Sequence, residues 1–423
     1  MSLLKQKLSQ ILPPQIKDIK EFVGANADKK VSEVTLGQAY GGIRGVKALV
    51  CDTSVVPPEK GLIIRGRELS EITDKLPEEI LWLLLTGDLP NKEELQDLHN
   101  DLQSRQDVPT YVWNILNEMP SESHPMAMFN NAILVMQRES KFAKNYNDIT
   151  KAQYWEYTLE DSLDIIAKLP AIAAFVYRKR FDKGPRIDSK KGADLGENYA
   201  HMLGMDDEKG KFANFMRLYL TLHSDHEGGN VSAFSAATVN SALSDMYYSL
   251  TAGLNGLAGP LHGLANQECL KWVLETIEKF GGVPSEEEIE KYTWETLDAG
   301  KVIPGYGHAV LRVTDPRFTA FHAFGLEHCS DDPVFQTVDR VFKVVPTVLE
   351  QVEKISNPWP NVDAGSGSLL YHFGLKEFEY YTVLFSVSRA IGICSQAVIA
   401  RAYGLPITRP KSLPTSKFKE LVK

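Results

Sequence analysis

Cysteine is scarce in this chain of 423 residues: Cys51, Cys269, Cys329 and Cys394 are scattered and form no CxxC pair. That spacing speaks against a disulfide scaffold or a metal knuckle and suits a reducing compartment. An excess of positive charge is missing too. The 46 Lys and Arg face 55 Asp and Glu, a net charge of −9. This balance argues against a nucleic-acid partner and gives no global field for an anionic substrate, so an anion site has to be assembled locally from arginines. The greasiest run, Ile80-Leu81-Trp82-Leu83-Leu84-Leu85, is closed off by Glu79 and Thr86-Gly87. It is far shorter than the roughly 20 residues a bilayer requires, so no membrane partner is expected. Residues Met1 to Lys7 have no secretory apolar core and no Arg- and Ser-rich transit character, and Glu420-Leu421-Val422-Lys423 is no peroxisomal address. The expected location is the cytoplasm, or the mitochondrial matrix if a presequence has been removed. Strand signals are also few. Ala48–Cys51 and Gly61–Ile64, joined through Pro57-Pro58, predict one small hairpin.

What is abundant is helical patterning, and the expected fold class is all-α. Ser70 to Gly87 has Pro77 near a helix start and Gly87 as a stop. Leu159 to Arg180 carries apolar residues at helical spacing, with Pro170 expected to begin a new helix or kink this one. Phe212 to Leu222 is apolar on most faces, so it reads as buried. Lys376 to Tyr403 is nearly all apolar or small, with Arg389 isolated inside it. An arginine there either snorkels to an edge or serves as a buried anion ligand. A charged helix pair, Ser285 to Lys301 and Asp332 to Lys354, lies between Gly/Pro-rich stretches at 253–263 and 357–361. That arrangement suggests a small domain set into a larger one, with a cleft between.

Three loops carry the chemistry. Residues 259–267 (Gly-Pro-Leu-His-Gly-Leu-Ala-Asn-Gln) and 304–312 (Pro-Gly-Tyr-Gly-His-Ala-Val-Leu-Arg) each mount one histidine, His262 or His308, among glycines and prolines. Such bends are stiff and let a ligand come close to the backbone, and imidazole gives or takes a proton near neutral pH. The third, Asn361-Val-Asp-Ala-Gly-Ser-Gly367, puts Asp363 on a glycine-rich loop. Taken alone, that carboxylate is more often an Asx turn or a helix cap than a catalytic base. Together, two imidazoles and a carboxylate suit proton movement at a carbon beside a carbonyl. The loop His223-Ser-Asp-His-Glu-Gly-Gly-Asn230 admits a metal site, a capped helix end, or a substrate-binding histidine. Arg312, Arg317, Arg389 and Arg409 sit in or near these segments. Several arginines converging on one site would grip a di- or tricarboxylate with paired bonds.

These segments resemble the citrate synthases, specifically the large two-domain type of animals and fungi. The matching stretches are His223 to Ser232, Asn255 to Glu268, Val302 to Arg312 with Thr314-Asp-Pro-Arg317, Asn357 to Asp363, and Arg409-Pro-Lys-Ser412. The resemblance implies condensation of acetyl-CoA, oxaloacetate and water to citrate and CoA, with no metal and no permanently bound cofactor. It implies that Asp363 removes a methyl proton, that His262 hydrogen-bonds the thioester oxygen, and that His308 polarises the oxaloacetate carbonyl. His226, Arg317 and Arg389 would hold substrate carboxylates, and Arg409 would do so from the neighbouring subunit of a homodimer. Arg312 and the loop from Val302 to Val310, with Gly305 and Gly307, would contact CoA. The family fold is all-α, with a large domain at 1–261 and 375–423 and a small domain at 262–374 closing over oxaloacetate. Two departures stand out: Gly365 and Phe234 occupy positions where the respiratory enzymes usually carry histidine. Smaller or more apolar surroundings there would admit a longer acyl chain, as in 2-methylcitrate synthases that use propionyl-CoA. A non-catalytic assembly protein on the same fold is the reading from another class.

Overall fold

A computed structural model describes residues 2–207, 209–308 and 310–423. It is built almost wholly of helices, and the longest buried one organises the rest. The helix Tyr381–Tyr403 buries most of its length and packs against helices Tyr154–Arg180, Met246–Leu257, Lys211–Leu222 and Pro77–Thr86. The stretch Phe378–Tyr403 is long enough to cross a bilayer and its most apolar 18-residue window has a mean hydropathy of 1.7, but 83 % of that window is buried inside the protein. It is a core helix. Its three serines are satisfied internally: Ser386 and Ser395 donate to the carbonyls of Thr382 and Ile391, and Ser388 donates to Leu220 O at 2.6 Å.

The helix Pro77–Thr86 begins at its proline and ends on Gly87 at φ 91°, as the start and stop signals predict. Of the two outcomes expected at Pro170, a new start does not occur: the helix Tyr154–Arg180 runs through it. Proline costs about 3 kcal/mol in a helix interior. Here it is buried between Ile166, Leu169, Ile172 and Ala173, and packing on both sides outweighs the lost hydrogen bond. The predicted hairpin also moves. Three two-residue strands, Ser54–Val55, Ile63–Ile64 and Arg67–Glu68, pair antiparallel in chain order, while Ala48–Cys51 has no regular structure. Buried Asp225 accepts from the hydroxyls of Thr53 and Ser54 at 2.5 and 2.8 Å. That anchor fixes the segment where the strand begins.

Helices Ala265–Phe280, Glu286–Asp298, Pro333–Leu349 and Asp363–His372 pack on one another as a second group. Ser285 and Asp332 cap two of them by accepting first-turn N–H groups. The charged pair foreseen from the sequence is therefore Glu286–Asp298 and Pro333–Leu349.

Candidate active site

Two loops of this second group are zipped together. Asn361 N donates to Gly305 O and Asn361 Nδ2 to Gly307 O, both at 2.9 Å, and Gly307 N donates to Trp359 O at 3.0 Å. This clasp holds His308 beside the start of the helix that carries Asp363. It needs glycine at 305, where φ is +81° and an added Cβ would stand 2.8 Å from Cys269 Sγ and 3.0 Å from Ala364 Cα. Ala309 lies outside the described residues, so the expected CoA loop is described only on either side of it.

His308 Nδ1 accepts two backbone N–H groups, from Val310 and Leu311, each at 3.0 Å. A nitrogen that accepts cannot carry the proton, so the ring is neutral with its hydrogen on Nε2. Burial lowers its pKa, and the Arg317 guanidinium lowers it further. His262 sits on a turn that requires Gly263, since a Cβ there would meet Leu257 O. Its Nε2 accepts the backbone N–H of Ser232 at 3.3 Å and lies 3.0 Å from the Ser232 hydroxyl. Burial, reinforced by Arg389, pushes its pKa down to about 4. Asp363 behaves oppositely: burial raises its carboxyl to about 6, while Arg317 and Arg389 pull it back. These two neutral imidazole donors and a carboxylate poised near neutrality come from three remote segments; Arg389 acts on His262, Arg317 acts on His308, and both act on Asp363.

Those arginines are placed differently from each other. Arg389 is only 2 % exposed. Its Nε donates to His223 O at 3.1 Å, its Nη1 to Asn230 Oδ1 at 3.4 Å, and its plane lies over Phe385 at 4.8 Å. Nη2 makes none of these bonds. Burial brings its pKa down to about 10, which leaves it charged. Of the two sequence readings for this arginine, the buried one is correct. Arg317 is buried and already gripped by Asp315, through Nε at 3.1 and 3.2 Å and through Nη2 at 2.6 Å; Nη1 remains outside that pairing. The ring of His226 is 6.1 Å from that of His308, and its buried Nε2 has no hydrogen-bond partner. Burial and both arginines hold its pKa well below the usual value. An unpartnered buried nitrogen beside two guanidinium groups calls for an anionic ligand with oxygen atoms.

His223 stacks on Tyr219 at 4.2 Å and bonds back to Tyr219 O, so it packs rather than faces the cleft. Among the described residues no group of three or more His, Cys, Asp or Glu is arranged to hold a metal ion.

Arg312 is exposed and folds its Nη1 onto Val310 O and Leu311 O at 3.0 and 2.7 Å. Val302 is 79 % exposed. Arg409 lies exposed in a tail without regular structure and joins no other site residue within this chain.

The surroundings of the two departures differ. A Cβ on Gly365 would meet Phe318 Cδ2 at 3.2 Å and Phe321 Cβ at 3.6 Å, so the space is taken up by aromatic packing. Phe234 is 37 % exposed, on the outward side of the helix Val231–Ser241. Sequence reasoning missed Ser232, Asp315, Asn230 and Phe385. The first three lie inside or next to the matched motifs; Phe385, one turn before Arg389, gives no signal in an apolar run.

Comparison with known proteins agrees with this geometry. The family described as citrate synthase, C-terminal domain, matches residues 42–411. The chain is 50 % identical to the mitochondrial citrate synthase of Saccharomyces cerevisiae, covering 99 % of this chain and 90 % of that one. It is 47 % identical to the mitochondrial 2-methylcitrate synthase of Yarrowia lipolytica, over 99 % and 92 %. Among solved structures, a citrate synthase from Thermoplasma acidophilum in ternary complex with carboxymethyl coenzyme A and oxaloacetate superposes with a TM-score of 0.76 at 25 % identity, over 90 % and 96 %.

Proposed function

The chain belongs to the citrate synthase family, and on that premise we propose how its own residues share out the condensation of acetyl-CoA with oxaloacetate. The observation that supports the assignment is the placing of the two arginines: Phe385 lies beside both His262 and Arg389, and Asp363 is acted on by Arg389 together with Arg317, which also acts on His308. Arg389, Arg317 Nη1 and His226 Nε2 hold the oxaloacetate carboxylates. Asp363 takes a proton from the acetyl methyl group. His262 Nδ1–H hydrogen-bonds the thioester oxygen as the enol forms. The enol carbon attacks the ketone carbon, and His308 Nε2–H stabilises the oxygen that becomes the citrate hydroxyl. Water then cleaves the citryl thioester to citrate and free CoA. Each neutral imidazole donates where negative charge develops, which is where preorganised donors act most strongly. The scheme calls on no permanently bound cofactor. CoA would lie along Val302, Gly305, Gly307 and Arg312.

The division into bodies 1–261 with 375–423 and 262–374 is supported by the mutual packing of helices Ala265–Phe280, Glu286–Asp298, Pro333–Leu349 and Asp363–His372. Closure of one on the other would exclude water until the carbon–carbon bond exists. A homodimer is supported by exposed apolar residues. Val231, Phe234 and Tyr248 are exposed on neighbouring helices, and Tyr40 meets the C-terminal segment through Thr415 and Phe418. A second copy would cover these surfaces and bring Arg409 to its site. The mitochondrial names of both reported relatives support the matrix as the working compartment. The test is a steady-state assay of thiol release with acetyl-CoA and propionyl-CoA side by side. A higher kcat/KM for acetyl-CoA is expected. No thiol release with either, or a preference for propionyl-CoA, would overturn the reading.

A further inference from the structure

A cavity of about 550 Å³ lies where the chain crosses between the two proposed bodies. One wall is Leu264, Gln267 and Lys271, at the start of the helix Ala265–Phe280, directly after His262. The other includes Phe181, Phe378 and Thr382, where the chain enters the helix Tyr381–Tyr403. Thr382 is 2 % exposed, yet its buried hydroxyl has no hydrogen-bond partner. A buried polar group left unpaired costs about 1–3 kcal/mol, so its persistence here asks for a partner.

The polar groups around the cavity are mostly donors. No side chain caps the helix Ala265–Phe280, so its first-turn N–H groups are left to other acceptors. Gln267 is 6 % exposed. The Lys271 ammonium stands one turn further on, sharing the exposed Glu268 carboxylate at 2.7 Å. His124 spends Nδ1 on Met126 N at 3.1 Å, which puts its remaining hydrogen on Nε2. The two carboxylates that also line the cavity are already occupied. Glu377 takes Lys183 at 2.6 Å and the Tyr177 hydroxyl at 2.8 Å, and Glu379 takes Arg180 at 3.0 Å. The remaining walls are apolar, from Phe181, Phe378 and Leu264. Donors combined with apolar walls match an acidic head group on a short hydrocarbon.

We propose that this cavity is a regulatory site for a small organic anion, a carboxylate or phosphate monoester carrying an apolar body, that acts by setting how far the two bodies close. The link to catalysis is direct. Thr382, Phe385 and Arg389 follow one another at helical spacing on one face, and Phe385 touches both His262, at 6.4 Å between rings, and the Arg389 guanidinium. An occupant against Thr382 and Gln267 wedges the two crossings and so alters the affinity for oxaloacetate. The regulatory half rests on the two-body reading above; the binding half does not.

The experiment titrates the full-length protein by calorimetry with phenyl phosphate and, separately, hexanoate; the arm that binds identifies the head group. The expected result is binding of one probe, weakened about tenfold by Lys271→Ala and by Thr382→Val, the loss of one hydrogen bond to a charged group. Thr382→Val keeps the side-chain shape, so an intact melting curve separates lost binding from lost folding. The wild-type oxaloacetate KM should shift about twofold or more with the bound probe, and not in Lys271→Ala. Absence of binding by both probes up to about 20 mM, or equal binding by wild type and both variants, overturns the site. Binding that both variants weaken without any shift in KM overturns the regulatory role and leaves the assignment of His262, His308 and Asp363 untouched.

Discussion

The backbone N–H of Ser232 donates to Nε2 of His262 at 3.3 Å, with the Ser232 hydroxyl 3.0 Å from the same nitrogen. An N–H only donates, so Nε2 keeps its lone pair and the ring proton sits on Nδ1, facing away from Ser232. The hydroxyl also lies 2.8 Å from Asn230 Oδ1, so its one hydrogen is shared between that oxygen and Nε2. Ser232→Ala keeps the backbone donor and removes the hydroxyl support. Its expected outcome is a kcat lower by about tenfold, the scale of one lost hydrogen bond to a charge-stabilising group. The oxaloacetate KM should stay within about twofold of wild type. An unchanged kcat would show that the hydroxyl does not position the ring.

Asp363 gives a pH prediction of definite sign. Its folded-state carboxyl is raised to about 6, and the base must be ionised to act. The log of kcat/KM should therefore fall with a slope of one as pH drops below about 6, and Asp363→Asn should abolish turnover by about 10³-fold or more. The stability effect runs the other way. A carboxyl whose pKa is raised on folding binds more protons folded than unfolded. Its contribution is full below the unfolded value and is lost as pH rises through about 6. Asp363→Asn should thus raise Tm at pH 7 and leave it nearly unchanged at pH 4. A lower Tm for the variant at pH 7 would count against burial as the cause of the shift.

The catalytic set was legible because its chemistry and its backbone demands coincide. His262 and His308 each sit where the chain needs glycine or proline to turn, so the motif records the bend and the reactive group at once; Asp363, expected on a glycine-rich loop, instead begins the helix Asp363–His372, with Gly365 and Gly367 packed inside it. Arg389 was legible as a lone charge in an apolar run, although burial had to be seen to decide between edge and core. The long helices followed from periodicity, except at Pro170, where packing overrides a local rule. Three things were hidden. Strand start is set by the long-range bonds of Thr53 and Ser54 to Asp225, which no local pattern encodes. The direction of Gly365 and Phe234 depends on helix rotation. The partner of Arg317 proved to be Asp315, two residues away, which spacing alone leaves undecided between cap and counter-ion.

Gly305 tests the clasp that joins the two loops. Gly305→Ala puts a Cβ where φ is +81° and within 2.8 Å of Cys269 Sγ. The strain and overlap together should destabilise the protein by about 2–4 kcal/mol. If the protein still folds, kcat should fall more than the oxaloacetate KM rises, because His308 and Asp363 are displaced from each other while Arg389 is not. A variant with normal kcat would mean that the clasp does not set the distance between acid and base.

Arg389→Lys examines the anion site. Lysine retains the charge but cannot make the paired bonds of a guanidinium, nor lie flat over Phe385. The oxaloacetate KM should rise by about 30-fold or more, with kcat reduced less, since the interaction is made in ground and transition states alike. An unchanged KM would remove Arg389 from the carboxylate ligands.

The sharpest test of subunit sharing uses two crippled chains. Arg409 is exposed and joins no other site residue within its own chain, so Arg409→Ala should leave folding intact. In a homodimer it should raise the oxaloacetate KM by about 10-fold or more, the value of one paired carboxylate contact. Asp363→Ala should be inactive for a separate reason. When the two variants are unfolded together and refolded, half of the dimers are mixed. In each mixed dimer one site receives Asp363 from the first chain and Arg409 from the second, and the other site receives neither. Activity at low oxaloacetate should therefore recover to about a quarter of wild type, although neither variant alone approaches it. Recovery no greater than the sum of the two separate variants would place Arg409 in its own chain's site or in none, and a fully active monomer in sedimentation would settle the same point against sharing.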